Sequence, residues 1–258
     1  MKCVILCGGL GTRFSEETDL KPKPMVEIGG KPILQHLMEC YSRFGFTKFI
    51  LCGGYKVNII KDYFLKLKYY SSDLNINFDD NNIKLISKKK LINWNVSIID
   101  TGLKSQTANR IFKIKKFLKG DTNFFMTYGD GLSNVNIKKL LEFHLKSKKI
   151  GTMTIVRPIA RFGHIKLKGN LITEFKEKDQ ISEGWINGGF FVLNKKIFNY
   201  INSKQDLIFE KKPLEQLSKD NELAAFKHES FWHPMDTLRD KRFLEKISNG
   251  DKSPWLVN

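Results

Sequence analysis

The residues best suited to chemistry lie near the start of the chain. Cys7-Gly8-Gly9-Leu10-Gly11-Thr12-Arg13 follows Lys2–Leu6, a short apolar run rich in strand formers. Lys21-Pro22-Lys23-Pro24-Met25 and Gly29-Gly30-Lys31-Pro32 come next. A buried strand that breaks into glycines lets backbone N–H groups approach an anion. Glycine tolerates positive φ and lacks the Cβ that would block a phosphate. Arg13 adds a forked, permanent charge matched to phosphate oxygens. Lys23 adds a point charge on a loop stiffened by flanking prolines. The spacing is neither that of a Walker A loop nor that of a dinucleotide-binding fingerprint.

Two aspartates extend this chemistry. Phe124–Gly131 reads as a buried strand that delivers Asp130 between Gly129 and Gly131. In a parallel α/β sheet, ligands gather beyond the carboxyl ends of the strands. A carboxylate there suits Mg2+, although an ordinary Asp-Gly turn has the same local sequence. Asp236, within Phe231–Asp240, precedes a helical pattern. On local sequence it serves equally well as a helix cap or a metal ligand. Between the two stand Glu177-Lys178 and Trp185–Phe191, the latter containing Asn187-Gly188-Gly189. Taken alone, these are a solvated surface pair and a hairpin turn. His36, His144, His164, His228 and His233 lack metal-ligand spacing and read as structural.

These residues need elements to position them, and the first half of the chain alternates strands with helices. Strands are predicted at Lys2–Leu6, Phe49–Cys52, Val96–Ile99 and Asn123–Thr127. Helices are predicted at Ile33–Phe44, Val57–Leu67, Arg110–Leu118 and Ile137–Ser147. That rhythm argues for a parallel sheet covered on both faces. The polar stretch Tyr69–Asn95 breaks it and reads as a long loop. After Gly151 come strands at Thr152–Val156, His164–Leu167, Leu171–Phe175 and Gly188–Leu193, then helices at Pro213–Lys219 and Leu238–Ile247.

Composition narrows the function classes. The 258 residues are 41% hydrophobic and 28% charged, ordinary for a globular protein. No run approaches the eighteen or so apolar residues of a membrane span. The chain enters its first strand directly, with no separate signal segment expected. Cys3, Cys7, Cys40 and Cys52 form no C-x-x-C pair and read as reduced, buried hydrophobes of a cytoplasmic protein. The net charge of +17 is carried mainly by scattered lysines, with seven arginines among 44 basic residues. It is a surface that attracts anionic substrates rather than a nucleic-acid groove.

G-G-x-G-T-R followed by P-K-P resembles the signature of the sugar-phosphate nucleotidyltransferases, and the resemblance covers nearly the whole chain. The similarity is strongest to members that use CTP and glucose 1-phosphate. It is carried by Lys21–Gly30, Trp94–Val96, Asp100–Gly102, Thr127–Gly131, Arg161–Gly163, Ile186–Phe191, Pro213–Glu215, Phe231–Lys241 and Pro254-Trp255. It implies a Rossmann-like mixed, mostly parallel sheet flanked by helices, with a small β-rich sugar-binding part. It implies one domain over 1–258, with 1–150 mainly nucleotide-binding and 151–258 mainly sugar-phosphate-binding.

The implied reaction converts CTP and α-D-glucose 1-phosphate to CDP-glucose and pyrophosphate, with Mg2+ held by Asp130 and Asp236. The first alternative is a cytidylyltransferase acting on another phosphorylated acceptor, a modified sugar or small metabolite used for surface polysaccharide decoration, and the second is a non-catalytic nucleotide-binding protein. Arg13, Lys23, Asp130 and Asp236 would be catalytic. The nucleotide would lie on Leu6, Cys7, Gly8, Gly9, Leu10, Gly11, Thr12, Arg13, Lys23, Ser105, Arg110 and Gly129. The sugar phosphate would lie on Glu177, Lys178, Asn187 and Gly188. Members of the family are homo-oligomers, and 69–95 is the expected subunit contact. CDP-glucose commonly feeds the deoxysugars of surface polysaccharides. The chain departs from the family pattern at Ala108-Asn109, where a glycine pair precedes the arginine, at Asp179, where a proline follows the lysine, and at Cys7, often alanine.

Overall fold

β1 (Cys3–Leu6) is buried along its whole length and sends alternate side chains to opposite faces of a central sheet. Cys3 and Ile5 enter one core with Phe49, Leu51, Phe125 and Phe190. Val4 and Leu6 enter a second core with Ile50, Cys52, Phe124 and Phe191. This two-sided burial explains why these strands read as continuous apolar runs. The computed structural model describes residues 1–11, 14–70, 72–86, 93–157, 164–176, 184–202 and 207–257.

After β1 the chain forms α1 (Ser15–Thr18), β2 (Glu27–Ile28), β3 (Lys31–Pro32), α2 (Ile33–Ser42), β4 (Lys48–Gly53) and α3 (Val57–Tyr70). β5 (Leu74–Asn77), β6 (Asn82–Leu85), β7 (Asn95–Asp100), α4 (Thr107–Lys113), β8 (Asn123–Tyr128), β9 (Gly131–Ser133) and α5 (Ile137–Ser147) follow. The rest is β10 (Gly151–Val156), β11 (His164–Lys168), β12 (Leu171–Lys176), β13 (Ile186–Asn194), α6 (Lys212–Lys219), β14 (Leu223–His228), β15 (Trp232–Pro234) and α7 (Leu238–Ile247).

Seven strands form the main sheet in the order β14-β10-β13-β8-β1-β4-β7. β1 runs parallel to both β4 and β8, and β7 runs parallel to β4. β13 is antiparallel to β8 and to β10, so the sheet is mixed. It draws strands from both halves of the chain. The carboxyl ends of β1, β4, β7 and β8 therefore meet along one edge, where a ligand site is expected.

Several elements differ from the sequence reading. Tyr69–Asn95 is not a simple loop. α3 continues to Tyr70, and β5 and β6 pair as an antiparallel hairpin. The residues between them, Phe78–Asn81, are its turn, with Asn81 at φ 53°. The helix expected at Arg110–Leu118 begins earlier, at Thr107, and gives way to a 3-10 turn over Lys115–Leu118. β14 and β15 were not anticipated.

The C-terminal segment is locked onto α2. Trp255 is buried, and its indole N–H donates to His36 Nδ1 at 3.1 Å. His36 Nε2 therefore carries the ring proton and donates to the Ile28 carbonyl at 2.8 Å. Among the described residues no helix is long and apolar enough to cross a membrane.

Candidate active site

A cleft of about 330 Å3 opens at the carboxyl edge of the sheet. Its walls come from the turns after β1, β7 and β8. Leu6, Cys7, Gly8, Gly9 and Gly11 form one side, Ser105 and Arg110 another, and Lys23, Gly129, Asp130 and Asp236 the floor. Leu10 is exposed and does not line it. Thr12, Arg13, Glu177, Lys178 and Asp179 lie outside the described residues.

The floor is an ion triad. Lys23 Nζ lies 2.8 Å from Asp130 Oδ2 and 2.6 Å from Asp236 Oδ1. Each member is placed by backbone, not by its neighbours in the triad. Lys23 opens a 3-10 turn between Pro22 and Pro24 whose last residues, Pro24 and Met25, are buried. Asp130 follows β8, where the Gly129 N–H donates to the Leu6 carbonyl at 3.1 Å. A Cβ on Gly129 would meet that carbonyl at 2.9 Å and Pro24 at 2.7 Å, so only glycine fits. Asp236 is delivered by β15, which pairs antiparallel with β9 directly after Asp130. The Met235 N–H donates to the Asp130 carbonyl at 2.8 Å and fixes that register.

The cap reading of Asp236 does not hold. Thr237 is the N-cap of α7 and forms a reciprocal capping box with Asp240. The Asp236 carboxylate instead lines the cleft and pairs with Lys23. Burial acts to lower the Lys23 pKa, but the charges and hydrogen bonds of the two aspartates outweigh it and hold the ammonium above its usual range. Two carboxylates meeting on one cation are a fitting donor set for Mg2+, which is commonly held by one or two carboxylates plus substrate phosphate oxygens. Among the described residues no group of three or more His, Cys, Asp or Glu is arranged to hold a metal ion.

Arg110 has a different setting. Its guanidinium is buried and donates to the carbonyls of Gly53, Gly102, Gly8 and Leu103 and to Thr101 Oγ1, at 2.7–3.3 Å. It ties together the turns that follow β1, β4 and β7. A Cβ on Gly8 would lie 2.1 Å from Arg110 Nη1, so this close approach requires glycine. Ser105 is held nearby, donating to the Thr101 carbonyl and accepting from Lys113 Nζ at 2.8 Å.

The Ala108-Asn109 departure also has a structural account. Ala108 is buried in the second core, and Asn109 Oδ1 accepts the Leu207 N–H at 2.7 Å. Neither lines the cleft.

On the other side of Asp130, Asn187 Nδ2 donates to the Tyr128 hydroxyl at 3.3 Å, and the Gly188 carbonyl accepts from Trp232 Nε1 at 2.7 Å. Gln106, Thr107 and Tyr128 line the cleft without having been singled out from sequence. Tyr128 stands in the run that delivers Asp130, and Gln106 and Thr107 lie between Ser105 and Arg110, so proximity was the available signal.

The profile of the nucleotidyl transferase family matches residues 2–240. The chain is 44% identical to glucose-1-phosphate cytidylyltransferase of Salmonella typhimurium, over 99% of this chain and 98% of that protein. It is 39% identical to the probable glucose-1-phosphate cytidylyltransferase of Bacillus subtilis over the full length of both. Among solved structures, HddC from Yersinia pseudotuberculosis complexed with GMP-PN superposes with a TM-score of 0.68 at 26% identity, covering 95% of this chain and 98% of that one. The glycine turn, the triad at the sheet edge and these matches lead to one conclusion: the chain belongs to the nucleotidyl transferase family.

Proposed function

We propose that the protein transfers the cytidylyl group of CTP to α-D-glucose 1-phosphate, releasing pyrophosphate and forming CDP-glucose. The observation that carries this reading is the Lys23–Asp130–Asp236 triad at the mouth of the glycine turn. The full-length likeness to glucose-1-phosphate cytidylyltransferases supports the choice of substrates. A phosphate oxygen of the sugar phosphate attacks the α-phosphorus of CTP. The new P–O bond forms as the bond to the departing pyrophosphate breaks. Such chemistry is mostly alignment and charge stabilisation. A phosphate monoester dianion is nucleophilic at neutral pH, so no general base is required.

The turn from Gly8 to Thr12 would hold the triphosphate on backbone N–H groups, with Arg13 on the leaving pyrophosphate. Asp130 and Asp236 would hold Mg2+, which supplies neutralisation of phosphate charge. Lys23, displaced from the carboxylates, would lie against the oxygens of both reacting phosphates as charge builds there. Lys178 would anchor the incoming phosphate, and Glu177, Asn187 and Gly188 would meet the sugar. The first 150 residues would serve mainly the nucleotide and 151–258 mainly the sugar phosphate. Arg110 and Ser105 would border the base, Arg110 chiefly by fixing the turns around it. Four buried free cysteines suit work in the cytoplasm.

Self-association belongs to the same reading. Among the described residues the β5–β6 hairpin pairs with no other strand, and it exposes Ile76, Phe78, Ile83 and Ile86. An isolated hairpin is marginal in water, so a second copy of the chain is its natural cover.

The test is pyrophosphate release with Mg2+ and glucose 1-phosphate, run in parallel with CTP, UTP, dTTP, ATP and GTP. Release with CTP alone is expected. Release with a different nucleotide would overturn the base assignment. Silence with all five would overturn the acceptor or catalysis itself.

A further inference from the structure

The glycine turn and the Asp236 carboxylate are joined by a run of bonds that passes outside the cleft. Gly11 and Asp236 both line the cleft. Thr18 Oγ1 lies 3.1 Å from the Gly11 carbonyl oxygen and 2.8 Å from that of Phe14, so its one hydrogen is shared between them. Gly11 stands at φ 68°, and a Cβ there would meet the Thr18 methyl at 2.7 Å, so α1 is pressed against the turn. Beside Thr18 is Glu17, whose carboxylate accepts from Lys241 Nζ. Lys241 belongs to the start of α7, its N–H donating to the Thr237 carbonyl at 3.1 Å. The Asp236 N–H donates to Asp240 Oδ2 at 3.0 Å, which fastens Asp236 to that same turn of helix. Thr18, Glu17 and Lys241 do not line the cleft.

Other contacts hold the two elements, but in other directions. The Tyr55 hydroxyl donates to the Thr18 carbonyl at 3.0 Å and Lys56 Nζ donates to the Asp19 carbonyl. Both fix α1 to the turn after β4, not to α7. Glu245 Oε1 lies 3.9 Å from Lys241 Nζ, within α7 itself. It is Glu17 with Lys241 that joins α1 to α7. The two side chains are 22% and 19% exposed. An ion pair open to water adds little to stability, so its effect is on the spacing of the elements that carry it.

We propose that Glu17 and Lys241 are positioning residues whose ion pair sets the spacing between the glycine turn and the Asp236 carboxylate. This rests on the reaction proposed above, in which the turn holds the triphosphate and Asp236 serves the reacting phosphates. Transfer by alignment is sensitive to such spacing, since a misplacement of about 1 Å from a distant change can cost about a hundredfold. A bond and a field make different predictions here. As separate charges, Lys241 would attract CTP and Glu17 would repel it, so neutralising each would move binding in opposite directions. As a bonded pair, the loss of either opens the same link, and both variants lose.

The experiment measures kcat, calorimetric Kd for CTP and Tm in Glu17→Gln, Lys241→Met, their double variant, Lys241→Arg and Glu245→Gln. Each neutralised single should lower kcat by about tenfold and weaken CTP by about three- to fivefold, with Tm within roughly 2–4 °C of the parent. The double variant should be no worse than the more impaired single, because both changes open one link. Lys241→Arg keeps the charge and should hold kcat within about threefold of the parent. Glu245→Gln should leave kcat unchanged. Four results would overturn the proposal: singles within about twofold of the parent, CTP affinities that move in opposite directions, additive losses in the double variant, or a fall in Glu245→Gln as large as that in Glu17→Gln. If the parent releases pyrophosphate only with another nucleotide or acceptor, the reaction assignment fails alone, and the same ratios are read with that pair. If it releases none, the Kd values for the nucleotide that binds decide.

Discussion

Two cations line one cleft and are held in different ways. Among the described residues Arg110 donates to neutral acceptors, four backbone carbonyls and a hydroxyl at the turns of the sheet. Lys23 is held by two carboxylates whose oxygens suit a divalent cation. These acceptors belong to backbone already held by the sheet and its turns, so the Arg110 end is fixed. Carboxylates can exchange an ammonium for a metal, and an ammonium can exchange carboxylates for phosphate, so the Lys23 end can be rearranged by substrate. On the proposed reaction, fixed charge shapes the pocket and exchangeable charge would take part in the transfer.

The largest expected effect is on turnover. Asp130→Asn keeps the shape of the floor but removes half of its carboxylate pair. Its kcat should fall by about a hundred- to a thousandfold or more, with the circular dichroism spectrum unchanged. Activity within a few fold of the parent would mean that the floor is not where charge is stabilised.

Arg110→Met should instead strike stability. It removes the charged donor that joins three turns and breaks several charge-assisted hydrogen bonds at once, at a cost of about 3 kcal/mol or more. That is a Tm roughly 6–12 °C lower for a chain of this size. A Tm within a degree or two of the parent would show that water or neighbouring donors replace the guanidinium, and the contrast between the two ends would collapse.

A smaller effect should follow pH. Burial pushes the His144 pKa down to about 4 and lowers those of His36 and His228. The folded state therefore resists protons that the unfolded chain takes up below about pH 6.5. Stability is full above that value and declines as pH falls, until it passes below about pH 4 for His144. Between pH 7 and 5 His144 alone should account for about 2 kcal/mol. Thermal melts of the parent and of His144→Gln check this, since the variant should lose part of the decline. Equal slopes in the two proteins would contradict it.

The smallest effect concerns the cap that Thr237, not Asp236, supplies to α7. Thr237→Ala should cost about 1 kcal/mol, or roughly 2–4 °C in Tm. A larger fall in activity than in Tm would mean that the cap also sets the position of Asp236.

What could be read from sequence follows from range. Buried strands such as β1, β4 and β8 announce themselves as apolar runs, and Asp130 stands out because its glycines adjoin it. α5 matches its predicted span, Ile137–Ser147, because its amphipathic pattern is local. β15 escaped notice, being three residues long, one of them proline, and defined only by pairing with β9. The hairpin was hidden by its polarity, although Asn-rich turn residues between short Ile-containing runs were its signal. The start of α4 is set by bonds to a segment about a hundred residues away, as the Thr107–Glu210 contact illustrates. Arg110 could be marked as a cation near the base, but its acceptors are carbonyls, which every residue carries and no sequence distinguishes.

The most direct measurement is kcat and Tm together in Lys23→Met. The two aspartates are partly open to water, so losing their ammonium should cost little stability. Turnover should drop by about a hundredfold or more while Tm moves by no more than a few degrees. A variant that melts far below the parent, or one that retains most of its turnover, would contradict the assignment of Lys23 as the exchangeable cation of the transfer.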